Sequence, residues 1–283
     1  MIPRYPRYHR PPFVDAERVD FMNRNLRSSS APRAVVSIFV GALAILFAAS
    51  YTAAAIEPTE LEPAEDTHAG RYELEIKASY EDFSEGHETE LEAEFSYGLN
   101  DHFRLGLNVP FEWEEDGEDG IGDIGAFLEW VANPESDGII VGGEFKITAP
   151  TGEESDDVGG EVQLRFSKSF AEKHGLHLTL KGYYESEEDD DHGLFDDEED
   201  GDDVGYQAVL GYTYKPVEST TLIADIAVGE APGEDENTNL LEVGLTHEFN
   251  DSVEIGVGIG AGLDDDSPDF VAHAGIEFKF GGH

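Results

Sequence analysis

Apolar and polar residues alternate along most of the chain from Tyr72 onward. In residues 72–77, Tyr72, Leu74 and Ile76 alternate with two glutamates and a lysine. Successive side chains of an extended strand point to opposite faces, so this pattern predicts strands with one apolar face and one charged face. No long window fits an amphipathic helix. The pattern predicts twelve strands, at about 72–82, 88–99, 103–113, 122–132, 138–149, 159–170, 175–185, 204–215, 219–229, 239–249, 252–262 and 269–281.

The connections between these strands alternate between short and long. Short connections include "LND" (99–101) and "ND" (250–251), whereas the long ones are acidic and include "ESEEDDDHGLFDDEEDGDD" (185–203). Strands of 9–11 residues with such loops are typical of outer-membrane barrels. We therefore expect an all-β fold, an antiparallel up-and-down transmembrane β-barrel of about 12 strands, at residues 71–283. Its termini would lie on the periplasmic side, with the short turns.

Aromatic residues collect at both ends of the predicted apolar face, as in the interfacial girdles of membrane barrels. The outer girdle would contain Tyr80, Trp113, Tyr184 and Tyr206, and the periplasmic girdle Tyr72, Tyr97, Trp130, Phe170, Tyr214 and Phe249. Lys168 and His247 interrupt the apolar face near the periplasmic end, where their polar heads can reach lipid headgroups.

The charged face would line a hydrated lumen in which acids predominate. The predicted pore-lining residues are Glu73, Glu75, Lys77, Glu92, Glu94, Arg104, Asp123, Glu129, Glu144, Lys146, Arg165, Lys181, Asp225, Glu242, Glu254 and Lys279. Gly256, Gly258 and Gly260 would leave open space inside the barrel. Twelve strands lie between the filled eight-stranded barrels and the open porins, so we expect a narrow passage for small solutes.

The first 55 residues have a different composition. Basic residues precede an apolar run at 34–50, and Ala53-Ala54-Ala55 offers a small-residue cleavage site, as in a secretory signal peptide. An uncleaved membrane anchor is the alternative, and either Met1 or Met22 could be the start residue. Residues 56–70 are predicted to form a disordered acidic lead-in.

Composition excludes several classes of function. The 283 residues include 63 acids and 17 bases, for a formal net charge of -46, which disfavours nucleic acid as a ligand. There is no Cys, so disulfides, thiol catalysis and cysteine-ligated zinc are excluded. No Gly-x-Ser-x-Gly or His-Glu-x-x-His motif occurs, and His247 on the apolar face has no companion Ser. We expect no catalytic residues, metal site or cofactor, and we expect His177 and His273 to pair with lumen acids.

The acidic connection at 185–203 could attract divalent cations, because these ions prefer carboxylate oxygens. The loop does not fit the EF-hand template, since His192 would occupy its fifth position and Glu188 its first. A solvated loop is the alternative interpretation.

The last predicted strand contains "HAGIEFKF" (273–280). This stretch resembles the terminal signal by which the barrel-assembly machinery recognises outer-membrane proteins, and the matching residues are His273, Gly275, Phe278 and Phe280. The resemblance implies that this machinery is a partner, together with outer-membrane lipid.

Three stretches resemble a known family. "LGLNVPFEW" (105–113) is followed by "GIGDIGAFLEW" (120–130) and then by "FKITAPTG" (145–152). This order is similar to the outer-membrane transporters grouped under the phenol-degradation meta-pathway (MetA-pathway) name. The resemblance covers most of residues 72–281 and implies a Gram-negative outer-membrane barrel that passes small, often aromatic or hydrophobic, molecules. From the residues alone, Asp123 either points into the mouth of the lumen or forms a hydrogen bond with the rim turn at 150–152.

The sequence thus predicts a channel or passive transporter that prefers cations mildly or is indifferent to charge. Two alternatives stay open: a secreted, soluble, acidic β-sandwich that acts as a binding module, and a barrel that does not conduct. The strong acidity could also reflect a salty habitat.

Overall fold

The computed structural model describes residues 58–64, 67–83, 86–114, 120–133, 138–152, 158–186, 203–230, 238–264 and 266–281. The predicted leader and signal peptide at 1–55, and most of the acidic connection at 185–203, lie outside the described residues. None of the described residues belongs to a helix that is long and apolar enough to cross a membrane.

Thirteen β-strands are present in the described residues. They are β1 (Arg71–Phe83), β2 (Gly86–Asn100), β3 (Phe103–Glu114), β4 (Gly120–Ile121), β5 (Ile124–Val131), β6 (Ile140–Ala149), β7 (Gly159–Phe170), β8 (His174–Glu185), β9 (Asp203–Val217), β10 (Thr220–Glu230), β11 (Thr238–Asn250), β12 (Val253–Gly262) and β13 (Phe270–Gly281).

The strands β4 and β5 are two pieces of a single pass along β3, where the sequence predicts one strand at 122–132. Gly122 and Asp123 leave the sheet between the two pieces. The N–H of Gly122 donates to the carbonyl of Pro110 at 3.1 Å. Since proline has no N–H of its own, β3 cannot offer a complete ladder at this point, and the pairing breaks there.

The sheet closes on itself in chain order. Every strand pairs antiparallel with its neighbours, and β1 pairs with β13 from Arg71 opposite Gly281 to Asp82 opposite Phe270. The β2–β3 pairing completes the ring. The predicted twelve-stranded up-and-down barrel is therefore confirmed. The alternative β-sandwich is wrong, because it would need two stacked sheets instead of one closed ring.

The outward face of the barrel is apolar. Leu107, Val162, Leu241 and Ile259 are each about half exposed, at 52%, 52%, 52% and 53%. Soluble monomers rarely expose contiguous apolar patches larger than a few hundred Å². A closed sheet also satisfies its own backbone hydrogen bonds, as a hydrocarbon environment requires. The barrel is thus suited to a lipid bilayer.

The ten residues predicted to form the aromatic girdles lie on the outward face, toward the ends of the strands. Near one short turn, His174 packs against the rings of Phe170 and Tyr214, with centroids 5.5 and 5.1 Å apart. At the start of β1, the ring of Tyr72 packs against that of Tyr97 near the end of β2, with centroids 4.7 Å apart. Lys168 and His247 also lie on this face, within a few residues of short turns. The position of these residues in a lipid interface stays a prediction.

The segment before β1 is not a disordered lead-in. Residues 58–64 run inside the barrel, where Pro58 and Leu61 are fully buried. Leu61 packs in an apolar cluster with Val209, Ile223, Ala227, Leu240 and Val271. The prediction of disorder for 56–70 is wrong for the described residues 58–64 and 67–70. Composition alone could not reveal that this acidic segment would find basic partners in the lumen.

The segment also fills the space that lumen glycines provide. A Cβ added to Gly258 would lie 1.7 Å from the carbonyl oxygen of Pro58, and one added to Gly211 would lie 2.3 Å from the Leu61 side chain. At Gly260, an added Cβ would lie 2.7 Å from Glu242 and from Val271. The expectation of open space beside the glycines of β12 is therefore wrong at Gly258 and Gly260.

The apolar exterior can be tested with Leu164→Arg in the middle of β7. We expect this substitution to lower the free energy of unfolding in lipid vesicles by about 2–4 kcal/mol, the typical cost of a cation at the bilayer midplane. Urea unfolding in vesicles measures the difference. The control is Glu92→Arg, which places the same side chain in the lumen and should cost less. Equal losses at both positions would contradict a lipid-facing exterior.

Candidate functional site

The lumen contains a polar cavity of about 290 Å³ beside residues 58–64. Twelve of the sixteen predicted pore-lining residues line it, all except Asp123, Asp225, Glu242 and Glu254. Six further residues complete its lining: Glu60, Glu62, Pro63, Glu161, Gln163 and Glu277. Ten acidic and six basic side chains thus face the cavity in the part of the chain that the structure describes.

Alternation could have identified three of the six further residues. Glu161 and Gln163 share the strand face of Arg165, and Glu277 shares that of Lys279. The other three belong to the segment at 58–64, and no strand pattern could have placed it in the lumen.

Arg104 joins the acids of neighbouring strands on one wall of the cavity. Its guanidinium pairs with Glu73 on β1 and with Glu129 on β5, and its Nε lies 2.9 Å from Glu129 Oε2. Lys279 on β13 extends the chain, with its Nζ 3.6 Å from Glu73 Oε1. The ion pairs therefore bind four strands together from inside the barrel.

Arg165 on β7 lines the cavity and is almost fully buried. Its guanidinium lies 3.2 Å from Glu144 and 3.7 Å from Glu129. It also pairs with Glu62 of the inserted segment. A buried charge is stable only when partners replace its hydration shell, and three carboxylates perform that role here.

The inserted segment is held by charges and by backbone hydrogen bonds. Lys181 Nζ lies 2.6 Å from Glu62 Oε1 and 3.7 Å from Glu60 Oε2. Thr179 Oγ1 donates to the Glu62 carbonyl at 2.7 Å, and the Ala64 N–H donates to a serine hydroxyl of β7 at 2.8 Å. These contacts fix both the side chains and the main chain of the segment.

The electrostatic state of Glu62 follows from these contacts. Burial alone would raise the pKa of its carboxyl group, because charge is unfavourable away from water. The positive charges of Lys181 and Arg165 outweigh burial and hold the pKa of Glu62 well below its ordinary value. Glu62 is therefore ionised when the segment is docked, and its two ion pairs persist into acidic solution.

Three of the four predicted lining residues outside the cavity are buried elsewhere in the barrel. Glu242 is buried on the opposite wall, where it accepts hydrogen bonds from the Glu60 N–H at 2.8 Å and from His273 Nε2 at 3.0 Å. Asp225 lies directly across from it on β10, and both are buried. Glu254 is buried on β12.

Asp123 lies at the rim. Its Oδ1 accepts hydrogen bonds from the N–H groups of Thr151 and Gly152, at 2.9 and 2.8 Å. The structure thus places Asp123 in the rim turn, the second of the two interpretations that the sequence allowed.

The two inward histidines behave differently. His273 pairs with an acid, Glu242, as expected. His177 does not: its ring nitrogens contact the hydroxyls of Ser167 at 2.9 Å and Thr213 at 3.0 Å. The expectation for His177 is wrong, because hydroxyl groups are its nearest polar neighbours.

The stretch predicted as an assembly signal forms β13. Phe278 and Phe280 stack on the outward face with ring centroids 6.5 Å apart. Gly275 lies opposite Lys77 of β1. Recognition of this strand by the assembly machinery stays a prediction.

Sequence comparison assigns the chain to a family. The family model described as "Putative MetA-pathway of phenol degradation" matches residues 63–280. The chain belongs to this family. The resemblance of the three stretches at 105–152 is therefore confirmed, and the match also includes part of the inserted segment. No curated protein sequence matches the chain.

Solved structures share the fold of this family member. The COG4313 outer membrane channel from Pseudomonas putida F1 aligns with a TM-score of 0.61 and 18% identity, covering 80% of this chain and 100% of the channel. The NanC porin aligns at 0.53 and 10% identity, covering 73% and 100%. The KdgM porin in complex with disordered oligogalacturonate aligns at 0.50 and 11%, covering 75% and 99%. Together with the apolar exterior, these similarities show the fold of an outer-membrane β-barrel.

The ion pairs of Glu62 can be tested with Glu62→Gln. We expect weaker docking of residues 58–64, by about 1.5–3 kcal/mol, the usual range for hydrogen bonds to charged groups. A carboxyl whose pKa is lowered by docking stabilises the docked state above its ordinary pKa of about 4.3, and this stabilisation is lost as the pH falls through the lower, docked value. The difference between the two proteins should therefore be full at neutral pH and shrink in strong acid.

Hydrogen exchange of the Leu61 and Ala64 amides, corrected for the intrinsic pH dependence, measures this docking. Glu92→Gln is the control, because it removes one carboxylate from the same cavity without a contact to the segment. Equal protection of the segment in wild type and Glu62→Gln at neutral pH would contradict the assigned role of Glu62.

Proposed function

We propose that this protein is a passive channel for small solutes in the outer membrane, exported by the signal peptide at 1–55. The path is the charged part of the lumen that remains beside residues 58–64. The observation that carries the proposal is the cavity of about 290 Å³, lined by side chains of strands on one side and by Glu60 and Glu62 on the other.

The lining favours small, polar solutes. The cavity walls carry sixteen charged side chains. An apolar solute gains no favourable contacts with them, whereas a polar solute can exchange its contacts with water for contacts with charged groups. The apolar part of the lumen is filled by Leu61 and its neighbours. Transport of aromatic or hydrophobic solutes, which the family resemblance implies, stays a prediction.

Passage is better supported than catalysis. Arg104, Arg165 and Lys181 pair with lumen acids, which is the typical role of such groups in a charged interior. The three solved structures compared above are a channel and two porins. We therefore propose a transporter without an enzymatic reaction.

A barrel that does not conduct is the second candidate, and one observation favours it. The inserted segment occupies lumen space with fully buried Pro58 and Leu61. The two candidates differ in whether the solutes can pass beside the docked segment or only after it has moved.

The expected partners follow from the barrel exterior, from β13 and from the acidic connection. The apolar exterior requires outer-membrane lipid. We propose that the assembly machinery recognises β13 through Phe278, Phe280 and the glycine that precedes them, and that divalent cations bind the acidic connection at 185–203.

Leu61→Asp tests the role of the segment in narrowing the path. A carboxylate in the apolar cluster should cost several kcal/mol and expel residues 58–64 from the lumen. We expect larger single-channel currents in planar bilayers, and faster uptake of small sugars by liposomes. Ala69→Ser is the control, because Ala69 is exposed and lies outside the lumen cluster.

Deletion of residues 58–64 is a second way to obtain a lumen without the inserted segment. A wild-type protein without current and a deletion variant with current would favour the barrel that does not conduct. Absence of current and uptake in all variants, with folding verified by heat-dependent mobility on gels, would contradict a channel.

A further inference from the structure

Four glutamates form a continuous row across adjacent strands of the barrel wall. Glu254 on β12 lies opposite Glu277 on β13, and Glu277 lies opposite Glu75 on β1. Glu75 in turn lies opposite Glu94 on β2. All four residues are on the inward face, and Glu75, Glu94 and Glu277 line the cavity. We refer to these four residues as the glutamate row.

Such a row is unfavourable unless something compensates its charge. Side chains directly opposite each other on paired strands have Cβ atoms about 4.5–5.5 Å apart, and like charges at this distance are destabilising. Lys77 offers partial compensation, since its Nζ lies 3.5 Å from Glu75 Oε1. Lys279 adds positive charge near Glu277, and Arg104 adds positive charge near Glu94, so the described bases compensate part of the charge of the row.

Glu277 shows that the compensation is incomplete. It is only 3% exposed, and its Oε2 atom is buried and has no hydrogen-bond partner among the residues that the structure describes. A buried carboxylate oxygen without a partner is costly, and such groups in native proteins call for an explanation. Because Glu277 also lines the cavity, rotation of its buried carboxyl group toward the lumen would bring Oε2 to a partner there.

We propose that the glutamate row is a binding site for small monovalent cations on the solute path, which makes the channel select cations over anions. The inference rests on the proposed channel function and goes beyond it by naming the solute class and the residues. A cation beside Glu277 supplies the missing partner and reduces the repulsion along the row.

The spacing of the row favours mobile, hydrated cations over a chelated metal. Neighbouring strands lie about 4.8 Å apart, so four strands spread the carboxylates over about 14 Å. Ca²⁺ would need six to eight oxygen ligands at about 2.3–2.6 Å, which a single row on one wall cannot supply. A hydrated alkali cation needs only the negative field and can move from one carboxylate to the next.

The test uses the refolded full chain in planar bilayers with a potassium chloride gradient. The reversal potential gives the permeability ratio of potassium to chloride. We expect a ratio above one for the wild type, and a drop of about twofold or more in Glu277→Gln and in Glu94→Gln, because each removes one charge from the row. Glu94 is less buried than Glu277, so its variant keeps the test valid if Glu277→Gln does not fold.

The matched control is Glu161→Gln, which removes one carboxylate from the same cavity but outside the row. It should lower the ratio by less than half as much. An equal drop in the control would mean that the total charge of the cavity sets selectivity, and unchanged ratios in the row variants would mean that the row holds protons. Either result overturns the proposal.

A direct binding measurement separates this proposal from the channel function. Crystals soaked in rubidium chloride should show anomalous density beside Glu277 in the wild type and none in Glu277→Gln. Density without channel current would support the site while contradicting the proposed function. Current without density beside the row would contradict the site alone.

Discussion

The absence of hydrogen-bonding partners in hydrocarbon is the constraint on which the rest of this structure depends. A sheet in lipid must pair every strand on both sides, and the β1–β13 and β2–β3 pairings achieve this by closing the ring. Closure then divides the side chains of each strand into two sets, because alternate residues face outward and inward. Apolar residues such as Val162 and Ile259 face outward, and charged residues are confined to a shared interior.

The many charges confined to this interior need partners of opposite charge there. Arg104, Arg165 and Lys181 connect acids of separate strands, so the ion pairs also hold the barrel wall together from within. The segment at 58–64 contributes Glu60 and Glu62 to this network. A short acidic stretch can thus dock in an acidic lumen, because it meets the lumen where the bases are concentrated.

The same segment divides the lumen into parts of different chemistry. Leu61 and Pro58 fill the side next to β9–β12, where glycines allow the main chain to approach closely. The space left on the other side is the charged cavity. Three of its acids form ion pairs with Arg165, whereas Glu277 Oε2 in the glutamate row has no hydrogen-bond partner among the described residues. This buried oxygen is the basis of the cation site that we propose.

Strand positions and faces were predictable because a period of two is a local property of the sequence. The alternation around Tyr72 and Leu74 sufficed to assign lipid and lumen faces, and twelve of the residues it placed inside line the cavity. The split between β4 and β5 was not predicted, since it arises because Pro110 has no N–H to donate to the neighbouring strand. The docking of residues 58–64 and the alignment of Glu254, Glu277, Glu75 and Glu94 were beyond the reach of the pattern for a related reason. Both depend on contacts between residues more than a hundred positions apart in the chain, such as Glu62 with Lys181 and Glu75 with Glu277. Only the closed tertiary structure sets that register.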